Sequence, residues 1–385
     1  METLKEQIKV EFNRRFDRDP VMVCSRGRVN LIGEHVDYNE GFVMPAAIDL
    51  GLIFAIASNG TNNCRIYAAD FKEEVSFSLN ELSPGDQWVN YIMGVLAGFK
   101  QRGFSVGGVD CVFGGNIPGG AGLSSSAALC CGFGFAINLI FESKAKRIEL
   151  ARIAQLAEHQ FVGVKCGLMD QYAILFGVPG SAMLLDCRSM THQDLPFPTS
   201  PYTIVLVDSK VKHTLATSSY NERRAACEEG IRILRKFYPD VQSLRDVTQE
   251  QLIGRREALG NLFPKCLFVV EEIARTREAA EKLLNNDLPV FGQLMYQSHE
   301  GLRRLYEVSC AELDFLVDLA RKHVHLVIGS RMVGGGFGGC TINLVYSAEM
   351  ENFMKLVSSE YLSLFGITPD FYPVTISQGV HRTTD

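Results

Sequence analysis

Residues 115–129 read GNIPGGAGLSSSAAL, and no other stretch limits the fold so strongly. A glycine-rich turn runs into three serines and then into an uncharged apolar run that ends near Phe141. This is the pattern of a loop entering a buried helix. Gly119, Gly120 and Gly122 allow backbone conformations closed to other residues and a close approach to a ligand. The first amides of such a helix lack intrahelical partners and sit at the positive end of its dipole, which suits a phosphate. The hydroxyls of Ser124, Ser125 and Ser126 can cap the helix, bind phosphate oxygens or ligate a magnesium ion. The segment is not a Walker A loop, because no Gly-Lys-Ser/Thr follows. On its own it is equally an ordinary glycine turn with a serine cap.

Composition narrows the classes. A chain of 385 residues has material for two or three domains and an ample core. The net charge of -6 and the lack of a long basic run argue against nucleic-acid binding. No apolar stretch is long enough for a membrane span. Leu4, Ile8, Phe12 and Phe16 recur every four residues among charges, which predicts an amphipathic helix stopped at Asp19-Pro20 rather than a signal peptide. The eleven cysteines are scattered, without a Cys-x-x-Cys pair, and read as reduced core residues of a cytoplasmic protein.

Strand-like runs occupy residues 52–57, 109–113, 202–207 and 341–346. Residues 147–161 read as a helix with Leu150, Ala154, Ala157 and Phe161 on one face. Strands and helices mix without regular alternation, so an α+β fold is expected. The polar, proline-bearing stretch 191–201 is the best boundary, dividing the chain into lobes 1–195 and 196–385.

Two further segments act together with the serine loop. Residues 27–39 read GRVNLIGEHVDYN, and residues 329–340 read GSRMVGGGFGGC. With these three motifs in this order, the chain resembles the GHMP small-molecule kinases and, among them, the galactokinase family. Residues 166–171 (CGLMDQ) and 218–224 (SSYNERR) are similar to segments of that family as well. The resemblance implies two lobes, the first carrying the sugar motif and serine loop and the second the glycine-rich third motif, with the active site between them. It implies ATP-dependent phosphorylation of galactose at the anomeric oxygen, the first committed step of galactose use.

It also implies roles for single residues. Asp170 matches the catalytic aspartate, although an aspartate there would ordinarily be a helix cap. Arg28 would lie beside it and stabilise charge on the moving phosphoryl group. Ser126 and Glu158 would hold Mg²⁺, which favours hard oxygen ligands and keeps several waters; His159 reads as a packing or capping residue. Glu34, His35, Asp37 and Tyr220 would bind the sugar, where carboxylates can fix neighbouring hydroxyls, although residues 37–41 are also turn-like. Gly120, Ala121, Gly122, Leu123, Ser124, Ser125 and Ser126 would cradle ATP phosphates, and Trp88 would lie near the base or in the core. The glycines of residues 334–339 read as a tight loop between ordered elements.

The chain departs from the family pattern at Ser25-Arg26, where Ala-Pro is usual, and at Val36 and Val333, where threonine is usual. No nucleic-acid, membrane or obligate protein partner is expected. The alternatives are a kinase of this superfamily for a different sugar, or a non-catalytic sensor of galactose and ATP. The intact Ser126-Ala127 and Asp170 favour catalysis.

Overall fold

A computed structural model describes residues 1–85, 88–198, 200–211 and 216–383, except that the side chains of 216–218 are left out. The chain opens with α1 (Glu2–Arg15), β1 (Val21–Asn30), β2 (Phe42–Val43), β3 (Pro45–Ser58), β4 (Asn63–Ala68) and β5 (Glu73–Ser78). Next come α2 (Val89–Gln101), β6 (Val109–Gly115), α3 (Ser125–Ile140), α4 (Arg147–Ala157), α5 (Met169–Phe176), β7 (Ser181–Asp186) and β8 (Thr191–Pro196). Then follow β9 (Tyr202–Asp208), α6 (Ala216–Leu234), α7 (Gln249–Ile253), α8 (Arg256–Leu259), α9 (Phe263–Leu284) and α10 (Leu288–Gly301). The last elements are α11 (Ala311–Lys322), β10 (Val327–Met332), β11 (Cys340–Tyr346), α12 (Met350–Phe365), β12 (Asp370–Val374) and β13 (His381–Arg382).

Among the described residues the strands form three sheets, in the orders β13-β1-β3-β6-β4-β5, β10-β11-β9-β12 and β2-β7-β8. The β4–β6 pairing is parallel and the others are antiparallel. The fold is α+β, as the absence of regular alternation predicted. The last strand returns to the first sheet, Val23 pairing with Arg382.

Both faces of the first sheet are covered, which is why β3 and the first four residues of β1 read as nearly unbroken apolar runs. Val23, Phe54 and Ile56 point toward α2, α3 and α4. Met22, Cys24, Ile53 and Ala55 point to the opposite face, against Ile8, Phe12 and Phe16. This two-residue alternation meets the four-residue period of α1. Phe16 is buried but lies one residue past the helix in extended backbone. The second sheet is likewise two-faced: Ile204, Leu206, Ile342 and Leu344 pack with α10, while Val205, Val207 and Val345 pack with α11 and α12.

Two elements differ from the sequence reading. The helix expected over 147–161 is α-helical only to Ala157 and continues as a π-helical turn, Glu158–Val162. Residues 191–196 are a hairpin strand rather than a connector; of these, only Leu195 is fully buried, so the segment looks polar. No described helix is long and apolar enough to cross a membrane.

Candidate active site

The end of β1, the loop before α3, the end of α4 and the start of α5 meet at one place. Arg28, buried near the end of β1, sets the geometry. Its Nε and Nη2 donate to Oδ1 and Oδ2 of Asp170, both at 2.8 Å. Its Nη1 donates to the Gly122 carbonyl at 2.7 Å, and its backbone N–H to the Leu123 carbonyl at 3.2 Å. One guanidinium thus ties the sugar motif, the serine loop and Asp170 in a two-pronged fork that fixes the carboxylate plane. Asp170 keeps 25% of its side-chain surface open, against 5% for Arg28, so the carboxylate can be reached.

Ser124 does not cap α3 with its side chain. Its backbone is left-handed (φ 57°), and its Oγ donates instead to Asp170 Oδ2 at 2.5 Å. Ser126, two residues further, donates to Glu158 Oε2 at 3.2 Å. Glu158 Oε1 accepts from Gln171 Nε2 at 2.7 Å. Burial, then the charge of Asp170, pushes the Glu158 carboxyl up to about 7, while the bonds from Gln171 and Ser126 pull the other way. A nearby divalent cation would reverse that rise. The adjacent carboxylate and hydroxyl are hard oxygen donors and leave room for waters and phosphate oxygens, which fits Mg²⁺. Among the described residues no group of three or more His, Cys, Asp or Glu could hold a metal alone. His159 bonds the carbonyl of Cys166, in the loop before α5, at 2.8 Å.

The loop after β1 carries the other candidates. Glu34 Oε1 accepts from the Gly334 N–H at 2.8 Å and from Arg331 Nη2 at 3.1 Å. Arg331 is wholly buried, and it also donates to the carbonyls of Leu31, Met332 and Asn30. The sequence reading quoted Arg331 without assigning it a role. Its signal was a charge inside an apolar strand beside the glycine loop, since a buried arginine requires partners.

His35 bonds the Gly335 carbonyl through Nε2 (3.1 Å) and the Tyr38 hydroxyl through Nδ1 (2.8 Å). A carbonyl only accepts, so Nε2 carries the proton and Nδ1 accepts from Tyr38. Tyr38 then accepts from the Tyr306 hydroxyl at 2.8 Å, and Tyr306 accepts from the Cys227 thiol at 3.2 Å. Burial pushes the His35 imidazole down to about 4, so the ring is neutral near pH 7. Both nitrogens are engaged within the protein, and His35 links the first motif to the third.

Asp37 lies against Gly167, so closely that a β-carbon at 167 would fall 1.9 Å from its Oδ2. Burial, then the charge of Asp170, pushes its carboxyl up to about 7. Tyr220, on α6, packs its ring 5.2 Å from that of His35 and 5.6 Å from that of Tyr38. Arg28, Glu34, Asp37, Glu158, Asp170 and Tyr220 help to line a cavity of about 210 Å³, with Ser126 and His35 also on its wall. That is below the roughly 300–1,000 Å³ of pockets for drug-sized ligands and suits a small polar molecule.

The family model for the GHMP kinases N terminal domain matches residues 90–178, and that for the GHMP kinases C terminal matches residues 279–358. The galactokinase galactose-binding signature matches residues 10–58. A galactokinase of Chloroflexus aggregans is 42% identical over 377 residues, covering 97% of this chain and 96% of that protein. The chain belongs to the galactokinase family. A galactokinase of Thermosipho africanus is also 42% identical, over 94% of this chain and 99% of its own length. Among solved structures, Lactococcus lactis galactokinase complexed with galactose superposes with a TM-score of 0.94 at 32% identity, covering 98% of this chain and 99% of that one. Methanococcus jannaschii mevalonate kinase, at 16% identity and a TM-score of 0.66 over 93% of this chain and 98% of that one, shares the fold.

Within this galactokinase-family fold, Ser126 is the residue of the serine loop that lines the cavity. Ala121 and Leu123 are buried in the core shared with the second sheet, while Gly120 is exposed and Ser125 half-buried. Trp88 lies apart from the cavity: it packs edge-on against Phe113 at 5.3 Å and donates Nε1–H to Glu73 at 2.9 Å. A larger hollow of about 470 Å³ runs between residues 244–249 and α9. Two arginines on its wall already have carboxylate partners, Arg245 with Asp186 and Arg275 with Glu272.

Proposed function

We propose that the chain transfers the terminal phosphoryl group of ATP to the anomeric oxygen of galactose, giving galactose 1-phosphate. The observation that carries this reading is the Arg28–Asp170 fork, set between the serine loop and the cavity edged by Glu34, Asp37 and Tyr220. Phosphoryl transfer depends mainly on positioning and on electrostatic stabilisation. Asp170 orients the acceptor hydroxyl and takes its proton. Arg28 holds the Asp170 carboxylate in plane and adds positive charge beside the oxygens that gain charge in the transition state. The loop of residues 120–126 would receive the phosphates, its backbone anchored through Gly122 and Leu123 to Arg28. Ser126 and Glu158 would hold Mg²⁺, which supplies charge neutralisation for the phosphate oxygens when bound.

Asp37 and Tyr220, with Glu34 and the neighbouring His35, would recognise the sugar. Trp88 is kept as a candidate for the base side of the nucleotide or for the core alone. Residues 1–195 and 196–385 are kept as the proposed lobes, with β8 crossing the boundary and β13 returning to the sheet of the first. Eleven cysteines without a disulfide support a cytoplasmic setting.

The test is a coupled assay with ATP, Mg²⁺ and a sugar panel. Galactose and glucose differ only at the 4-hydroxyl. A site that hydrogen-bonds this group should reject glucose by as much as ~10⁴–10⁵ in favourable cases. Comparable kcat/KM for the two sugars would overturn galactose as the substrate.

A further inference from the structure

Glu272 is an acidic residue wholly buried on α9, and it has no part in the chemistry described above. Its Oε1 accepts from the Gly33 N–H at 3.0 Å and from the Ser298 hydroxyl of α10 at 2.6 Å. Its other oxygen accepts from Arg275, one turn along the same helix. Gly33 is the residue before Glu34 in the sugar motif, and its backbone is left-handed, φ +95°. A β-carbon there would meet the Phe42 carbonyl at 2.7 Å, the Thr276 hydroxyl at 2.9 Å and the Val43 Cα at 3.0 Å. Gly33 is therefore held between α9 on one side and β2 on the other.

We infer that Glu272 is a positioning residue for sugar recognition: its carboxylate fixes the Gly33 amide and thereby aims Glu34, His35 and Asp37 into the cavity. A buried carboxylate with three donors is a stiff anchor, because each bond is charge-assisted and none competes with bulk water. The loop has a matching anchor on its other flank, where Arg331 and the Gly334 amide hold Glu34. Removing the Gly33 bond frees one flank only. The loop then samples orientations in which the sugar contacts are misaligned, while the fork at Asp170 and the serine loop stay in place.

This inference rests on the proposed sugar site, and the experiment separates the two. In Glu272→Asp the charge opposite Arg275 is kept, but the carboxylate is about 1.5 Å shorter and no longer reaches Gly33. The expected result is a rise of about tenfold in KM for galactose, with kcat within threefold and KM for ATP unchanged. Ser298→Ala removes a different bond to the same oxygen and spares Gly33; it should lower Tm while leaving KM for galactose within twofold. Equal losses of stability in both variants with an unchanged KM for galactose would make Glu272 a structural residue only. Hydrogen exchange on the unaltered protein is the second measurement, decisive even where Glu272→Asp does not fold. The Gly33 amide should be as protected as the interior of α9, and exchange at the rate of an open loop would overturn the inference. Failure of the unaltered protein to turn over galactose would instead remove the function on which the inference rests.

Discussion

Gly167→Ala is a sharp test of the sugar site because the three atoms nearest the new methyl group all belong to Asp37. A β-carbon at 167 would lie 1.9 Å from Asp37 Oδ2, 2.3 Å from its Cγ and 3.0 Å from its Cβ. Comfortable contacts between heavy atoms are about 3.5 Å, so the carboxylate has to retreat by roughly 1.5 Å. Gly167 does not adopt a positive φ, so alanine adds no backbone strain. It slightly restricts the unfolded chain, an effect of about 0.4–1 kcal/mol in favour of the fold. Stability is therefore expected to change little, and the perturbation falls on Asp37. Misplacing a substrate-orienting group by about 1 Å can cost ~10²-fold in rate. The expected outcome is a drop of about that size in kcat/KM for galactose, with KM for ATP within twofold and Tm within a few degrees. If the alanine acts through Asp37, adding Gly167→Ala to Asp37→Ala should change little further, since the two substitutions damage one contact. A kcat/KM within threefold of the parent, at unchanged Tm, would show that the carboxylate position is irrelevant to the sugar.

Other substitutions separate the remaining roles. Asp170→Asn keeps the side-chain shape but sets an amide against Arg28 or Ser124; turnover should fall on the order of 10²–10⁴-fold while nucleotide binding, followed by calorimetry, persists. Activity within a few-fold of the parent would rule out Asp170 as the proton acceptor. Ser126→Ala and Glu158→Gln should each raise the Mg²⁺ concentration for half activity, and an unchanged dependence in both would move the cation elsewhere. The Asp37 carboxyl, raised from 3.8 to about 7, binds its proton more tightly in the folded state than in the unfolded one. Its contribution to stability is full below about pH 4 and is lost as pH rises toward and through about 7. Asp37→Asn should therefore melt increasingly above the parent as pH goes from 5 to 8, and a pH-independent difference in Tm would contradict the raised value.

Local order was legible in the sequence because it is written in local spacing. The recurrence of Ile8 and Phe12 announced α1, and the paired apolar runs announced β3, β6, β9 and β11. The third motif was legible as a tight loop because apolar strands flank it. The π-helical turn at Glu158 escaped, since one extra residue per turn leaves the apolar pattern almost intact over so short a run. β8 was read as a boundary because a hairpin edge exposes most of its side chains. Asp170, Arg28, Ser126 and Glu158 were named through the family motifs, but their mutual geometry was not available from spacing. Nor were the anchors of the sugar loop, where Glu272 meets Gly33 across 239 residues and Arg331 meets Glu34 across 297. Such pairs are products of tertiary packing. For Arg331 the available sign was that a charge in a mostly apolar strand must find a partner; Glu272 stands among many other charges on α9 and carried no such sign.

The arrangement of charge also explains why a site of this kind is intrinsically unsettled. Asp37, Glu158 and Asp170 share one cavity, and the guanidinium of Arg28 is committed to Asp170 alone among them. Asp37 and Glu158 are each pushed up to about 7, with burial the first cause and the charge of Asp170 the second. Near neutral pH the empty site thus either carries excess negative charge or holds protons it must release. A cation between Ser126 and Glu158 would compensate one of these carboxylates, and sugar hydroxyls donating to Asp37 would satisfy the other. Ligands that bind only the folded form raise its stability by mass action. That rise should be larger at pH 8 than at pH 6, because the unmet charge is larger there. Substitutions that neutralise Asp37 or Glu158 would then stabilise the empty protein and weaken the same ligands, the trade-off expected where binding groups are held in unfavourable surroundings.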